Sequence, residues 1–201
     1  MSKVILSVMV SLDGLMAGRD GDLEWFRTDD EFESEMFTVL RSVDAILLGR
    51  VAYQLLGDYW PGAAESEKQA PGGFTSDDRQ VSFARMMNTI PKVVYSRTLE
   101  RAEWGPVRIV RDDIEGDLAR MKRESQKDLV LFAGATIARY FIQRDLFDEY
   151  RLMVHPTILG AGQPLFGPEM PRHELKLLRA RTFGSGVTLL HYERGPHGGR
   201  R

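Results

Sequence analysis

The sequence contains no cysteine among its 201 residues, which excludes a disulfide framework, thiolate metal sites and a cysteine nucleophile. It also has no excess of charge of either sign, because 27 Lys and Arg residues stand against 29 Asp and Glu residues, for a formal net charge of −2. A chain so evenly balanced is not suited to coating nucleic acid or an anionic membrane. Its length permits one sizeable hydrophobic core without a covalent or metal staple.

A hydrophobic run long enough to cross a membrane is missing as well. The apolar start of the chain, residues 1–10, is followed by Asp13 and Arg19 before it reaches spanning length. The ordered segments of a secretory signal peptide are not found either. We therefore expect a cytoplasmic protein with no membrane or nucleic-acid partner.

Common catalytic and nucleotide-binding motifs are also absent. There is no Gly-x-x-x-x-Gly-Lys-Ser/Thr phosphate loop and no Gly-x-Gly-x-x-Gly turn between a strand and a helix. The four histidines do not have the spacing of metal ligands, so no metal site is predicted. The sequence predicts no hydrolase catalytic triad, because the Gly-x-Ser-x-Gly motif that carries the nucleophilic serine is absent.

Short hydrophobic runs alternate with segments of helical periodicity along most of the chain. The runs predict strands over residues 4–10, 45–48, 92–95, 107–110, 129–132 and 150–154. Helices are predicted from a capping box that starts at Thr28, and over residues 51–56, 81–87, 114–125 and 136–143. The stretch 57–77 is rich in glycine and proline and is predicted to be a loop.

The end of the chain changes pattern. Two predicted strands, 175–183 and 187–194, are joined by Gly184-Ser185-Gly186, which indicates an antiparallel hairpin. The fold class that follows is α/β, a three-layer α/β/α domain whose central sheet is mostly parallel and ends in an antiparallel C-terminal hairpin. We expect one domain over residues 1–194 and a disordered tail over 195–201.

Three junctions between a strand and the segment after it carry residues suited to binding phosphate. Gly49-Arg50 places a guanidinium at the start of a helix, where free backbone N–H groups and the positive end of the helix dipole favour an anion. Ser96-Arg97 offers a hydroxyl and a second guanidinium at another strand end. The third junction is a turn of small residues that lets the backbone approach a pyrophosphate closely, and it comprises Ala133, Gly134, Ala135 and Thr136.

Taken in order, these segments resemble the dihydrofolate-reductase-like superfamily. The resemblance is carried by Ser11-Leu12-Asp13-Gly14, Leu48-Gly49-Arg50, residues 92–99, Ala133-Gly134-Ala135 and residues 145–166, and it spans residues 3 to about 193. The sequence resembles in particular the branch that contains the reductase domain of bifunctional riboflavin-pathway deaminase–reductases. The zinc signature of the deaminase half requires cysteines, which this sequence lacks, so we expect a stand-alone reductase.

The resemblance implies an NADPH-dependent reductase that forms a homodimer. It implies that Gly49 and Arg50 hold cofactor phosphates, that Ser96 and Arg97 face the 2′-phosphate, and that the residues of the third junction lie against the pyrophosphate. The loop 13–18 would cover the nicotinamide. We expect the dimer interface near residues 150–154 or 159–166, where apolar Leu165 and Phe166 lie beside glycines.

The sequence departs from the superfamily pattern at the expected catalytic carboxylate. The resemblance implies that the catalytic carboxylate lies on the first helix, but two ways of aligning it disagree. If Trp25 matches the loop tryptophan of the superfamily, the carboxylate five residues later is Asp30. If Gly49 is the reference, the carboxylate sixteen residues earlier is Glu33. Asp13 is a third candidate, which also suits a turn residue before a glycine. Ala52 stands where dihydrofolate reductases have a threonine, and it removes a hydroxyl contact.

Three functions stay open on this reasoning. The first is a reductase that transfers a hydride from NADPH to a C=N or C=O carbon of a small heterocyclic or sugar-derived substrate, similar to 5-amino-6-(5-phosphoribosylamino)uracil reductase. The second is a regulatory module that binds NADPH without turnover, which the altered carboxylate favours. The third is a dihydrofolate reductase, which turnover of dihydrofolate would reveal.

Overall fold

The protein is described by a computed structural model that covers residues 1–65, 73–168 and 170–195. Its strands are β1 (Val4–Ser11), β2 (Leu15–Ala17), β3 (Val43–Gly49), β4 (Lys92–Tyr95), β5 (Val107–Val110), β6 (Asp128–Ala133), β7 (Glu149–His155), β8 (Gln163–Pro164), β9 (Leu175–Thr182) and β10 (Thr188–Arg194). Its helices are α1 (Asp30–Arg41), α2 (Arg50–Ala63), α3 (Asp77–Thr89), α4 (Ile114–Glu124) and α5 (Ala135–Gln143), with one short 3-10 turn at Arg19–Gly21.

Eight strands form the central sheet in the order β5-β4-β3-β6-β1-β7-β10-β9. The contacts from β5 through β7 are parallel, and β10 is antiparallel to both β7 and β9. The predicted fold class is therefore confirmed. Because β1, β3, β4 and β6 run in the same direction, their carboxyl ends meet at one edge of the sheet, which is where ligands bind in folds of this kind.

The sheet is covered on both faces, as its alternating residues show. Ile46 and Leu48 point into a core shared with α1, α2 and α3, while Ala45 and Leu47 point into a second core shared with α4 and α5. A strand buried on both faces needs apolar residues at every position, which explains the continuous hydrophobic runs of the sequence.

Helix α1 begins one residue later than the sequence predicts. The predicted N-cap was Thr28, but Asp29 caps the helix, and its carboxylate accepts a hydrogen bond of 2.7 Å from the Phe32 backbone N–H. The same carboxylate also accepts from the Ser185 backbone N–H in the β9–β10 turn. This contact with a distant turn favours Asp29 over its neighbour, and local spacing alone cannot reveal it.

Helix α2 is longer than predicted, and its expected end at Gly57 is wrong. The helix continues to Ala63 because Trp60 and Ala63, on its last turn, are buried against the rest of the core. Gly57 is a point of close packing, since a Cβ there would lie 3.3 Å from the Cβ of Trp104. The predicted loop 57–77 is thus helical at its start, and residues 66–72 lie outside the described part of the chain.

A second, two-stranded sheet of β2 and β8 was not predicted. It joins the loop after β1 to the segment after β7. Gly162 permits this contact, because its φ is +152° and a Cβ there would lie 2.0 Å from the carbonyl oxygen of Ala17. Two strands this short carry no periodic signal of their own.

Two further expectations concern the dimer interface and the C-terminal tail. Leu165 is buried in the protein's own core, whereas Phe166 is about half exposed, and the homodimer stays a prediction. The predicted tail has only Gly195 among the described residues, so the division into domain and tail also stays a prediction. No helix in the described ranges has the length and apolar character needed to cross a membrane.

Candidate active site

A cavity of about 640 Å³ opens at the edge of the sheet where the parallel strands end. Its walls come from β1, β3 and β6, from the helices α1, α2, α3 and α5, and from the loop after β1. Cavities of this size hold cofactors and drug-sized ligands. Of the residues proposed from the sequence, those that line it are Glu33, Gly49, Arg50, Ala133, Gly134, Ala135 and Thr136.

Two helices begin in this cavity, and both begin without a side-chain cap. The N-cap residues are Gly49 for α2 and Gly134 for α5, and neither can offer a side-chain acceptor to the first turn. The other three α-helices are each capped by a side chain, from Asp29, Ser76 and Asp113. The free N–H groups of α2 and α5 are therefore available to an anion in the cavity.

The two uncapped ends lie against each other. A Cβ at Gly134 would lie 3.3 Å from both the Ala52 Cβ and the Ile137 Cγ2, and 3.9 Å from the backbone nitrogen of Gly49. Gly134 also has a φ of +104°, which strongly favours glycine. The small turns thus bring the backbone of two helix ends to one place, as a cofactor pyrophosphate would require.

A second, more polar cavity of about 480 Å³ shares Arg50 with the first. Its walls also include Thr98 and Arg101, which were not singled out from the sequence. Ser96 and Arg97 directly precede Thr98 in the chain, but they line neither cavity. The Ser96 hydroxyl accepts hydrogen bonds from the N–H groups of the turn, while the Arg97 side chain is 82% exposed and lies 3.6 Å from Asp112.

The deep end of the main cavity is aromatic, which sequence reasoning missed. Ring centroids lie 5.2 Å apart for Trp60 and Phe83, 5.4 Å for Phe74 and Phe83, and 4.8 Å for Tyr59 and Trp60. Burial raises the pKa of Tyr59 to about 12, so that this phenol stays neutral. Aromatic residues at helical spacing look like ordinary core in a sequence, and only the assembled fold shows that they surround a space.

The three candidate carboxylates are not brought together. Asp13 is exposed and accepts hydrogen bonds from the Ser11 hydroxyl and the backbone N–H groups of Leu159 and Gly160, which lower its pKa to about 2. Asp30 is exposed at the start of α1 and is not part of the cavity lining. The structure gives Asp13 the role of fastening the loop after β1 to the segment after β7.

Glu33 is the candidate carboxylate that does line the cavity, and it is 1% exposed. Its two oxygens accept from the Thr75 backbone N–H at 2.7 Å, from the Thr75 hydroxyl at 3.0 Å and from the Arg79 guanidinium. This ion pair neutralises the carboxylate and attaches α1 to the segment that leads into α3.

His155, at the end of β7, is a buried titratable group beside the cavity that was not singled out from the sequence. Its ring makes edge contacts with Trp25 and Phe32, and its Nδ1 accepts a hydrogen bond of 3.1 Å from the Arg27 backbone N–H. Burial, helped by the positive charge of Arg27, lowers the pKa of His155 from 6.5 to about 4. The imidazole is thus neutral in the folded protein at pH 7.

The depressed pKa of His155 predicts a loss of stability in mild acid. The unfolded chain takes up a proton near pH 6.5 and the folded chain only near pH 4, so stability present above pH 6.5 is lost as the pH falls toward 4. The free energy of unfolding, from urea titrations, should fall by about 2 kcal/mol between pH 7 and pH 5. The non-titrating variant His155→Gln should lose most of this dependence, and an equal drop in that variant would contradict the assignment.

The mostly parallel sheet with its antiparallel hairpin has the dihydrofolate-reductase-like fold. Within that class, the chain belongs to the family of RibD C-terminal domains, whose model matches residues 2–189. The resemblance stated from the sequence is therefore confirmed.

Known proteins similar to this chain include a bacterial relative and two solved structures. The uncharacterized protein YyaP of Bacillus subtilis is 32% identical over 190 residues, which cover 94% of each chain. A crystal structure of a protein assigned to riboflavin biosynthesis from Shewanella sp. PV-4 is similar with a TM-score of 0.72 at 20% identity, covering 96% of this chain and 99% of that one. Dihydrofolate reductase from Enterococcus faecalis, complexed with NADP(H), has a TM-score of 0.61 at 12% identity, covering 96% and 97%. At these identities the two structures show a shared fold.

Proposed function

We propose that this protein is an NADPH-dependent reductase that delivers a hydride to a C=N or C=O carbon of a small heterocyclic or carbonyl-bearing substrate. The observation that carries the proposal is the pair of uncapped helix ends, at Gly49 and Gly134, that face one cavity. Membership in the family of RibD C-terminal domains supports an oxidoreductase, and the NADP(H) complex of the Enterococcus enzyme supports a nicotinamide cofactor on this fold.

The residues of the site fit such a cofactor. The backbone of Gly49 and of residues 133–136 would hold the pyrophosphate, with Arg50 as its cationic partner. Ser96 and Arg97, together with Arg101 of the second cavity, would hold the 2′-phosphate of the adenosine. Bound here, the nicotinamide would supply the hydride.

The protein's own part in the reaction is to order the ligands and keep water away from them. Met16 and Ala17, on β2, line the cavity, and the hydrogen bonds of Asp13 with Leu159 and Gly160 hold the turn that leads into β2. Among the described lining residues the one carboxylate, Glu33, is held by Arg79 and Thr75. We therefore propose that water brings the proton to the acceptor heteroatom.

The choice between NADPH and NADH tests the cofactor end of this site. Ser96 follows directly on Tyr95, which pairs with Gly49 in the sheet, so Arg97 lies at the same edge as the phosphate cradle. Its contact with Asp112 is long and exposed, which leaves the guanidinium free to bind a phosphate. Arg97→Ala should reduce the NADPH-over-NADH preference in calorimetric affinities by about 1.5–3 kcal/mol.

The matched control is Arg172→Ala, which removes a guanidinium whose side chain is 89% exposed and bonded to Glu174. It should leave both affinities unchanged. Equal affinities for NADH and NADPH in the unmodified protein would contradict the proposal that Arg97 and Arg101 bind the 2′-phosphate.

Turnover decides between the reductase and a module that only binds the cofactor. The unmodified protein with NADPH should show loss of nicotinamide absorbance with at least one member of a panel of cyclic ketones, imines and dihydropterins. Tight binding of NADPH without oxidation by any member would instead support the regulatory module. The ion pair of Glu33 with Arg79 also favours that function, because it occupies the one carboxylate among the described residues that line the cavity. Oxidation with dihydrofolate alone would select a dihydrofolate reductase.

A further inference from the structure

One wall of the main cavity carries large apolar side chains that are open to solvent. Val51 and Leu55, on α2, are 65% and 54% exposed, and both line the cavity. Tyr59, one turn further along the helix, also lines it and is half-buried. Residues four apart lie along one side of a helix, so these three side chains form one strip, which we call the α2 rim. Apolar side chains exposed beside a cavity indicate that an apolar ligand covers them when the cavity is filled.

The α2 rim begins at the phosphate cradle and leads away from it. Gly49 and Arg50 stand at the start of α2, where the cradle lies. With the helical rise of about 1.5 Å per residue, Leu55 lies about 7.5 Å beyond Arg50 along the helix axis, and Tyr59 lies about 13.5 Å beyond it. A cofactor held by its pyrophosphate at the start of the helix therefore leaves the later part of the rim to the substrate.

A second group of partly accessible apolar side chains lines the same cavity. Leu23 and Phe26 lie in the segment before α1, Met16 lies on β2, and all three are half-buried. Methionine is unbranched and polarisable, and it adapts its shape to apolar ligands. The accessible parts of the wall thus suit a hydrocarbon group and offer little to a group with many hydrogen-bonding atoms.

The charges of the cavity argue against an ionised substrate beside the α2 rim. Of the described lining residues, only Glu33 and Arg50 are charged. Glu33 is 1% exposed and paired with Arg79, and Arg50 belongs to the cradle. A phosphate or a protonated imine beside the rim would have no free counter-charge among these residues, and burying an unpaired charge is strongly unfavourable. A neutral carbonyl compound needs no such partner.

We infer that the substrate is an uncharged lipophilic ketone or aldehyde whose hydrocarbon portion lies along the α2 rim. The inference rests on the proposed function for its chemistry. The carbonyl carbon accepts a hydride from NADPH and the carbonyl oxygen accepts a proton from water, which yields an alcohol, NADP⁺ and hydroxide. The hydrocarbon portion contributes affinity by covering Val51, Leu55 and Tyr59, and by leaving water itself.

A homologous series of methyl ketones tests the apolar contact. In ¹⁵N–¹H spectral titrations, recorded with and without NADP⁺, affinity should rise from 2-pentanone to 2-octanone by about 2- to 4-fold for each added methylene group, the factor for moving that group out of water. The anion 7-oxooctanoate has the chain of 2-octanone with a carboxylate at its end. It should bind at least about 10-fold more weakly than 2-octanone, because the carboxylate would be buried without a partner.

A variant of the rim provides the second test. Leu55→Gln keeps a good helix former and replaces apolar surface with an amide, so it should weaken 2-octanone binding about 3- to 10-fold and affect 2-pentanone much less. The matched control is Leu177→Gln on β9. Leu177 has a similar exposure of 51% and lies outside the cavity lining, so both ketone affinities should stay unchanged.

Three results would overturn the inference. They are an affinity that does not grow with chain length, tighter binding of 7-oxooctanoate or ribose 5-phosphate than of 2-octanone, and equal 2-octanone affinity in Leu55→Gln and the unmodified protein. A lower sedimentation mass of Leu55→Gln with unaltered ketone affinity would show that a second copy of the chain covers the rim instead.

NADPH binding is measured on the same samples to separate this inference from the proposed function. If NADPH binds and none of the ketones does, the substrate inference fails and the proposed function stands. If the ketones bind with the expected dependence on chain length and NADPH does not bind, the proposed function fails.

Discussion

Gly134→Asp should raise the dissociation constant for NADPH at least about 100-fold, measured by calorimetry. The new carboxylate would lie at the uncapped start of α5, where it would accept the N–H groups that the phosphates need and repel the phosphates themselves. Its Cβ would also crowd Ala52 and Ile137 at 3.3 Å. Losing two charge-assisted hydrogen bonds of about 1.5 kcal/mol or more each corresponds to a factor of this size.

Backbone strain needs a separate control, because Gly134 has a φ of +104°. Gly186→Asp introduces the same side chain at a φ of +85° in the β9–β10 turn, away from the cavity lining. We expect both variants to be less stable than the unmodified protein, by about 1–3 kcal/mol, and NADPH affinity to fall only in Gly134→Asp. Unchanged NADPH binding by a folded Gly134→Asp protein would place the cofactor elsewhere.

Glu33→Gln should lower the free energy of unfolding by about 3 kcal/mol in urea titrations. The carboxylate is buried and accepts from three donors on Thr75 and Arg79, and an amide can supply only one acceptor oxygen to them. Breaking a buried ion pair costs about 3–5 kcal/mol, and the partial exposure of Arg79 brings the expected value to the lower end. NADPH affinity should not change, because Glu33 lies on α1, away from the phosphate cradle.

Glu31→Gln is the matched control two residues away. Its carboxylate bonds to Arg181 at 2.6 Å in an exposed pair, which predicts a loss of at most about 0.5 kcal/mol. A Glu33→Gln protein of full stability but sharply reduced turnover would contradict the structural role. Glu33 would then be the proton donor, as the count back from Gly49 suggests.

The strands and the strand ends could be predicted from the sequence because their signals are local. The predicted strands at 92–95 and 107–110 match β4 and β5, and the hairpin at the end of the chain is β9 and β10. Parallel strands buried on both faces are continuous apolar runs, and the glycine at the end of β3 marks where its chain turns into a helix. From these the sequence determined the fold class and the edge of the sheet at which to look for a site.

The extent of α2 could not be predicted, because it depends on contacts with distant segments. Gly57 is a helix-breaking residue by its intrinsic preference, and the packing of Trp104 against it overrides that preference. The cap of α1 is likewise decided by the β9–β10 turn, which bonds to Asp29. The short β2–β8 pair exists only because the loop after β1 meets a segment far along the chain.

The sequence by itself determined where backbone could meet phosphate, since glycines and small residues at strand ends are local features. Only the tertiary structure decided what each candidate side chain does. It bonded Asp13 to the segment after β7, paired Glu33 with Arg79 and left Asp30 outside the cavity. It also placed Trp60 among the aromatic rings that line the cavity. Such roles depend on which groups from distant segments meet in space, and residue spacing along one chain does not contain that information.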